Sequence, residues 1–229
     1  MVECLHAVLW AVLGDGTMRG VEGPRRTPDD LAADLHALGL RAGALVMVHA
    51  SLRRLGPVEG GADGVIDAVR RAIGATGTML MVLGAKDDHA WVNERPVAER
   101  RALLAEAEPF DAHLTPASPD VGTLAEVFRQ RPETDVSDHP EGRFAAAGPL
   151  ARALLDAVPW DDYFGAGSPL QRLVEGGGVV LRLGADLETV TLLHHAEYVC
   201  PVEPRRRVER HRLVATAHGP EVRTVTCLD

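Results

Sequence analysis

The stretch between residues 44 and 83 constrains this chain most. Residues 44–49 (ALVMVH) form a continuous apolar, partly β-branched run, bounded by Gly43 before it and Ser51 after it. A short run of this kind without polar alternation fits a strand buried on both faces. Gly56, Gly60 and Gly61 then mark a loop, and Val65, Ile66, Val69 and Ile73 recur at helical spacing between Asp63 and Ile73. Gly74 ends that helix, Thr76-Gly77 supplies a turn, and residues 78–83 (TMLMVL) form a second buried strand. Strand, glycine-bearing loop, helix and strand make a βαβ unit, the usual way to join parallel neighbours. The expected fold class is therefore α/β, with a mixed or parallel central sheet flanked by helices.

The rest of the chain extends this pattern. Thr27-Pro28-Asp29-Asp30 is a helix start, with a hydroxyl cap, proline at the first helical position and two acids in the first turn. That helix runs to about Leu38 and stops at Gly39. Residues 86–119 are polar, acid-rich and weakly periodic, with short helical pieces around 98–108; irregular segments this long inside a compact domain are usually functional. A helix resumes over 123–130, another covers 149–157, residues 179–183 (VVLRL) form a third buried strand, and Thr189 caps a helix reaching Val199. No repeat, linker or composition break appears, so residues 24–229 read as one domain. Residues 1–23 read as a poorly ordered N-terminal extension. Its apolar stretch from Cys4 to Leu13 is about half the roughly 20 residues needed to span a bilayer. Glu3 stands where a signal peptide would be basic.

With 24 basic against 33 acidic residues the net charge is −9, which disfavours nucleic acid or an anionic membrane as the main partner and favours a cationic one. An acidic balance also serves solubility alone. Cys4, Cys200 and Cys227 are too few and too widely spaced for a disulfide framework or a zinc site, so a reducing cytoplasm is the simplest setting.

Three segments could carry chemistry. The loop from His49 to Gly61 leaves a strand and enters a helix, where open α/β sheets bind ligands, yet it matches neither the dinucleotide nor the Walker pattern. In Thr191-Leu192-Leu193-His194-His195-Ala196-Glu197, His194 and Glu197 lie three apart and share a helix face, whereas His195 points about 100° away. A histidine beside a carboxylate suits a general base with an orienting partner, a metal site, or a buried structural pair; spacing leaves all three open, and His139, His49 or Asp186 could complete a metal set. The third segment is Asp138-His139-Pro140-Glu141-Gly142-Arg143, whose histidine precedes a proline and stays out of a helix.

Taken in order, V-H-A-S-L-R-R-L-G-P-V-E-G-G-A (48–62), F-D-A-H-L-T-P-A (110–117), H-P-E-G-R-F-A-A-A-G (139–148), G-A-G-S-P-L-Q-R-L (165–173) and T-L-L-H-H-A-E (191–197) resemble the aminoglycoside 3-N-acetyltransferase family. The resemblance covers about residues 27–207. It implies transfer of an acetyl group from acetyl-CoA to the 3-amine of a deoxystreptamine ring, an antibiotic-resistance activity that needs no metal. It makes His194 the base and Glu197 its acid partner. Ser51, Leu52, Gly60, Gly61, Ser168 and Thr191 become coenzyme A contacts, and His139 a substrate contact. Family chains continue beyond the segment equivalent to 208–229, so the domain is expected to be shortened there, with the sheet completed differently, a partner copy in a homo-oligomer filling the gap, or substrate binding weakened.

This chemistry agrees with the residues. An ammonium must lose a proton before attacking a thioester, which an imidazole can accept. The loop at 51–61 offers backbone N–H groups for a tetrahedral oxyanion. Aminoglycosides are polycations, so Asp87, Asp88, Glu94, Glu106, Glu108, Asp111 and Asp120 are expected to wall their site, Asp87 and Asp88 foremost. The alternatives are an N-acyltransferase for another small amine and a metal-dependent hydrolase built on His194, Glu197 and His139.

Overall fold

The computed structural model describes residues 25–200 and 206–229, together with the backbone of 11–13. The expected βαβ unit is present: strand β2 (Leu45–Ala50), helix α3 (Gly61–Ile73) and strand β3 (Thr78–Val82), with the single turn α2 (Leu52–Leu55) inserted after β2. Gly64 allows α3 to begin so close to the preceding loop, because a Cβ there would lie 1.8 Å from the Glu59 carbonyl oxygen. Helix α1 (Pro28–Ala37) starts at Thr27, whose hydroxyl accepts from the Asp30 N–H while the Asp30 carboxylate accepts from the Thr27 N–H. Such a capping box contributes about 1 kcal/mol.

The remaining elements are α4 (Val97–Leu103), α5 (Thr123–Arg129), β4 (Asp135–Val136), β5 (Phe144–Ala147), α6 (Ala151–Leu155), α7 (Pro169–Glu175), β6 (Val179–Leu183), α8 (Leu192–Val199), β7 (Arg207–Val214) and β8 (Glu221–Leu228). With β1 (Ala11–Leu13), the main sheet has the order β1-β6-β2-β3-β5-β4. Strands β1, β6, β2 and β3 are parallel, and β5 and β4 join antiparallel at one edge. The expected extension 1–23 lies outside the described residues, apart from the β1 backbone.

Alternation along the strands divides the core into two layers. Val46, Val48, Met79, Met81, Ala145, Ala147, Leu181 and Leu183 face α1, α3 and α5. Leu45, Met47, Leu80, Phe144, Ala146 and Val180 face α6, α7 and Val190. Strands apolar on both faces are what a helix-covered sheet requires. Two boundaries differ from expectation. Helix α6 stops at Leu155, because Asp156 is extended and Ala157 takes φ 45°. The helix expected from Thr189 begins with a 3₁₀ turn (Leu187–Thr189) and becomes α-helical only at Leu192.

The antiparallel hairpin β7–β8 was not anticipated. Its backbone binds the body at several points: Phe110 N–H donates to Leu213 O (2.8 Å), Trp160 Nε1 to Thr224 O (2.6 Å) and Leu228 N–H to the Tyr198 hydroxyl (2.9 Å). Val225 and Cys227 bury against Tyr163.

Candidate functional site

The carboxyl ends of β2, β3 and β6 open into a cleft of about 780 Å³, within the size range of small-molecule sites. Its walls are residues 48–54 at and beyond the end of β2, Met81 and Val82 of β3, residues 119–123 leading into α5, and Ala185, Asp186, Thr189 and Thr191 after β6. The position follows from topology. The chain leaving β2 turns onto the face covered by α3, whereas the chain leaving β6 carries Val190 and Leu192 over the opposite face. Two adjacent parallel strands whose connections diverge leave a crevice between them, where α/β folds place ligands.

Thr191 lines this crevice and immediately precedes α8. One turn later, His194 Nδ1 lies 3.1 Å from Glu197 Oε2, on a shared helix face as their spacing requires. A carboxylate can only accept, so Nδ1 carries the hydrogen and Nε2 is left as the basic nitrogen. The ring also stacks on Phe164, with centroids 5.6 Å apart and planes 12° from parallel. Both side chains remain more than half exposed, 57% and 53%, so the imidazole is oriented yet reachable. His195 turns inward, its Nδ1 2.8 Å from the Phe164 carbonyl.

At the other side of the crevice, His49 ends the buried part of β2. Burial, helped by the neighbouring Arg182 charge, lowers its pKa from 6.5 to about 4. Arg54 and Asp186 join across the mouth at 2.5 Å, each about half exposed. Arg53 also lines the wall and is exposed.

Of the residues singled out from sequence, Ser51, Leu52 and Thr191 line the cleft. Gly60 and Gly61 do not; they form the left-handed turn (φ 77° and 60°) that starts α3. Ser168 is corrected to a structural role, since it is fully buried and its hydroxyl caps α7 by accepting from the Gln171 N–H. His139 is corrected as well. It is 0% exposed, its Nδ1 accepts from the Glu141 and Gly142 N–H groups, and its Nε2 lies 2.9 Å from the Trp160 carbonyl. Neither nitrogen is left for a substrate or a metal. Among the described residues, no three His, Cys, Asp or Glu side chains gather into a group able to hold a metal ion, so His139 does not join His194 and Glu197 in the expected metal set.

The acidic wall is only partly as expected. Asp87 is largely buried and, with Glu141, flanks Arg212 Nη1 at 3.2 and 3.0 Å. Asp88 pairs with Lys86 at 2.9 Å. Asp111 caps its own turn, and the N–H groups of Leu114 and His113 hold its carboxyl below the usual range. Asp120 is the member of the set that reaches the cleft. Sequence reasoning also missed Arg143, fully buried, whose guanidinium donates to Thr115 O at 2.7 Å and to Ala112 O. It fastens the 110–117 segment to the 139–148 segment, and burial depresses its pKa to about 10. A charged residue just before the apolar run 144–147 was the available signal.

The profile of the aminoglycoside 3-N-acetyltransferase family matches residues 47–229. The chain belongs to this family. Aminoglycoside N(3)-acetyltransferase VIII of Streptomyces fradiae is 47% identical over 168 residues, 73% of this chain and 59% of that protein, so the chain spans about three fifths of that relative's length. The crystal structure of the aminoglycoside acetyltransferase AAC(3)-Xa superposes with a TM-score of 0.83 at 41% identity, covering 89% of this chain and 72% of that one. The structure of AAC-IIIb with CoASH superposes with a TM-score of 0.82 at 37% identity, covering 89% and 76%. Family membership agrees with the α/β sheet and with the order of the five sequence segments. Among the described residues, no helix is long and apolar enough to cross a membrane.

Proposed function

We propose that this member of the family transfers an acetyl group from acetyl-CoA to the 3-amine of an aminoglycoside, with His194 as base and Glu197 as its partner. The observation that carries the proposal is the oriented imidazole of His194, one turn beyond a residue that lines the cleft between β2 and β6. A relative bound to CoASH supports coenzyme A as the donor. The acceptor arrives as an ammonium ion and must first become an amine. His194 Nε2 takes that proton, while the Glu197 carboxylate fixes the tautomer and stabilises the imidazolium. The amine nitrogen then bonds to the thioester carbon and the carbon–sulfur bond breaks; the nitrogen gives up its second proton to water to become the amide, while the imidazolium returns the first proton to the departing thiolate. The products are the amide and CoASH, and no enzyme nucleophile is consumed. Ser51, Leu52 and Thr191 are the cleft contacts assigned to the donor, with exposed Arg53 near its phosphates.

The substrate assignment is chemical. A net charge of −9 favours a polycation, and Asp120 and Asp186 place carboxylates at the cleft itself. Thiol release from acetyl-CoA, followed across aminoglycosides with and without a free 3-amine, tests the reading. Release should require the 3-amine and fall by at least about 100-fold in His194→Ala. Release that ignores the 3-amine, or survives without His194, would overturn the acceptor or the base respectively.

A further inference from the structure

His49 has no part in the acid–base step, yet its placement is unusual. It is 7% exposed, it lines the cleft, and its Nε2 is buried without a hydrogen-bond partner. An unpaired polar atom in a wall is a cost that an apolar ring of the same shape would avoid. Its cross-strand neighbour is Arg182, so both side chains leave the sheet on one face. Arg182 donates from Nε and Nη2 to Ala185 O at 3.0 and 2.7 Å, towards the loop after β6. By alternation, His49 shares its face with Leu45 and Met47, the face over which Val190 and Leu192 pass before His194. A ligand in the cleft thus meets His49 from the sheet and Thr191, three residues before His194, from the other wall.

The chemistry of the ring selects what it can bind. Burial and the Arg182 charge keep it neutral at pH 7. The guanidinium of Arg182 beside the ring repels an aminoglycoside polycation, and without a charge the ring is a poor phosphate anchor. It matches a neutral polar group that must itself be desolvated. We infer that His49 Nε2 is a binding group for the acyl donor, hydrogen-bonded to an amide or thioester of the coenzyme A arm when the cleft is filled. This rests on the acetyltransferase reading above.

The test is calorimetric titration of the full chain with CoASH, comparing wild type, His49→Phe and His49→Gln. Gln places an amide nitrogen near the position of Nε2, whereas Phe fills the space without a polar atom. Loss of one hydrogen bond to the ligand should weaken CoASH binding about tenfold in His49→Phe, and His49→Gln should recover most of it. The KM for acetyl-CoA should rise in parallel while the KM for the aminoglycoside stays unchanged. Should the phenyl ring prevent folding, His49→Met is the second apolar replacement, since its flexible chain fits irregular space. A folded apolar variant that binds CoASH as tightly as wild type would overturn the assignment to His49. Wild-type protein that binds no CoASH is a different result, and it would overturn the acetyltransferase reading with it.

Discussion

Two buried, neutral imidazoles give the protein a stability profile that can be worked out before it is measured. Burial lowers the pKa of both His49 and His139 from 6.5 to about 4. In the unfolded chain each ring binds a proton as the pH falls through about 6.5, whereas in the fold it does not until about 4. The unfolded state therefore holds more protons between these values, and stability falls with the pH. The contribution is complete above pH 6.5 and lost by pH 4. At pH 5, a ring with these two values has lost about 2 kcal/mol, so the pair removes about 4 kcal/mol from a total that is typically about 5–15 kcal/mol. His211, lowered by partial burial, acts in the same direction. The depressed carboxyls of Asp30, Asp111, Glu126 and Asp186 act in a separate window, because their unfolded values of 3.8–4.5 leave them ionised at pH 5. Urea unfolding of ligand-free protein at pH 7.5 and pH 5.0 reads the difference directly. His49→Phe and His139→Gln should each reduce the loss between the two pH values by about 2 kcal/mol, whatever they do to stability at pH 7.5. If both variants keep the wild-type loss, or if wild type is equally stable at the two pH values, the reasoning from buried imidazoles is wrong.

Two further outcomes follow from the same geometry. Arg212→Met removes the guanidinium between the largely buried carboxylates of Asp87 and Glu141; the cost should be about 2–4 kcal/mol, lowering the thermal midpoint by about 10 °C, and an unchanged midpoint would show the cluster to be solvated. Glu197→Gln keeps an acceptor for His194 Nδ1 but removes the charge that stabilises the imidazolium. Acetyl transfer should fall about tenfold in kcat with CoASH affinity unchanged, and an unaltered kcat would make Glu197 merely structural.

The parts of the fold that could be read from the sequence are those where one signal dominates. Residues 44–83 repeat short apolar runs and a helical stripe, and burial of those side chains leaves one arrangement of strands and helix. The same holds for residues 179–183, whose strand was placed at its observed bounds. The hairpin β7–β8 was not legible because it is held by tertiary partners. Its Arg207, Arg210 and Arg212 suggest an exposed segment until Asp162, Asp229, Asp87 and Glu141 are brought against them. Pairing of that kind joins residues 19 to 125 positions apart, which no local pattern records.

The site divides along the same line, and the division separates chemistry from scaffolding. His194 and Glu197 were legible as a pair because a helix turn alone brings them together. His139 and Ser168 were legible only as members of recurring segments, and such segments recur for structural reasons as readily as for functional ones. In H-P-E-G-R, His139 binds backbone on both sides, Gly142 leaves room for Tyr163, which a Cβ would approach to 2.5 Å, and Arg143 gathers the carbonyls of 112–116. The imidazole and the Arg143 Nη groups are thus engaged within the fold, and the segment's one unpartnered buried nitrogen, Arg143 Nε, lies away from the cleft lining. His49 is the opposite case, a polar atom left unsatisfied by the fold and placed on a cleft wall. Thr134 Oγ1, Arg143 Nε and Arg210 Nε are also buried without a partner, but none of these residues lines the cleft. What distinguishes a binding residue from a scaffold residue here is thus a hydrogen bond still missing after folding at a residue of the cleft wall.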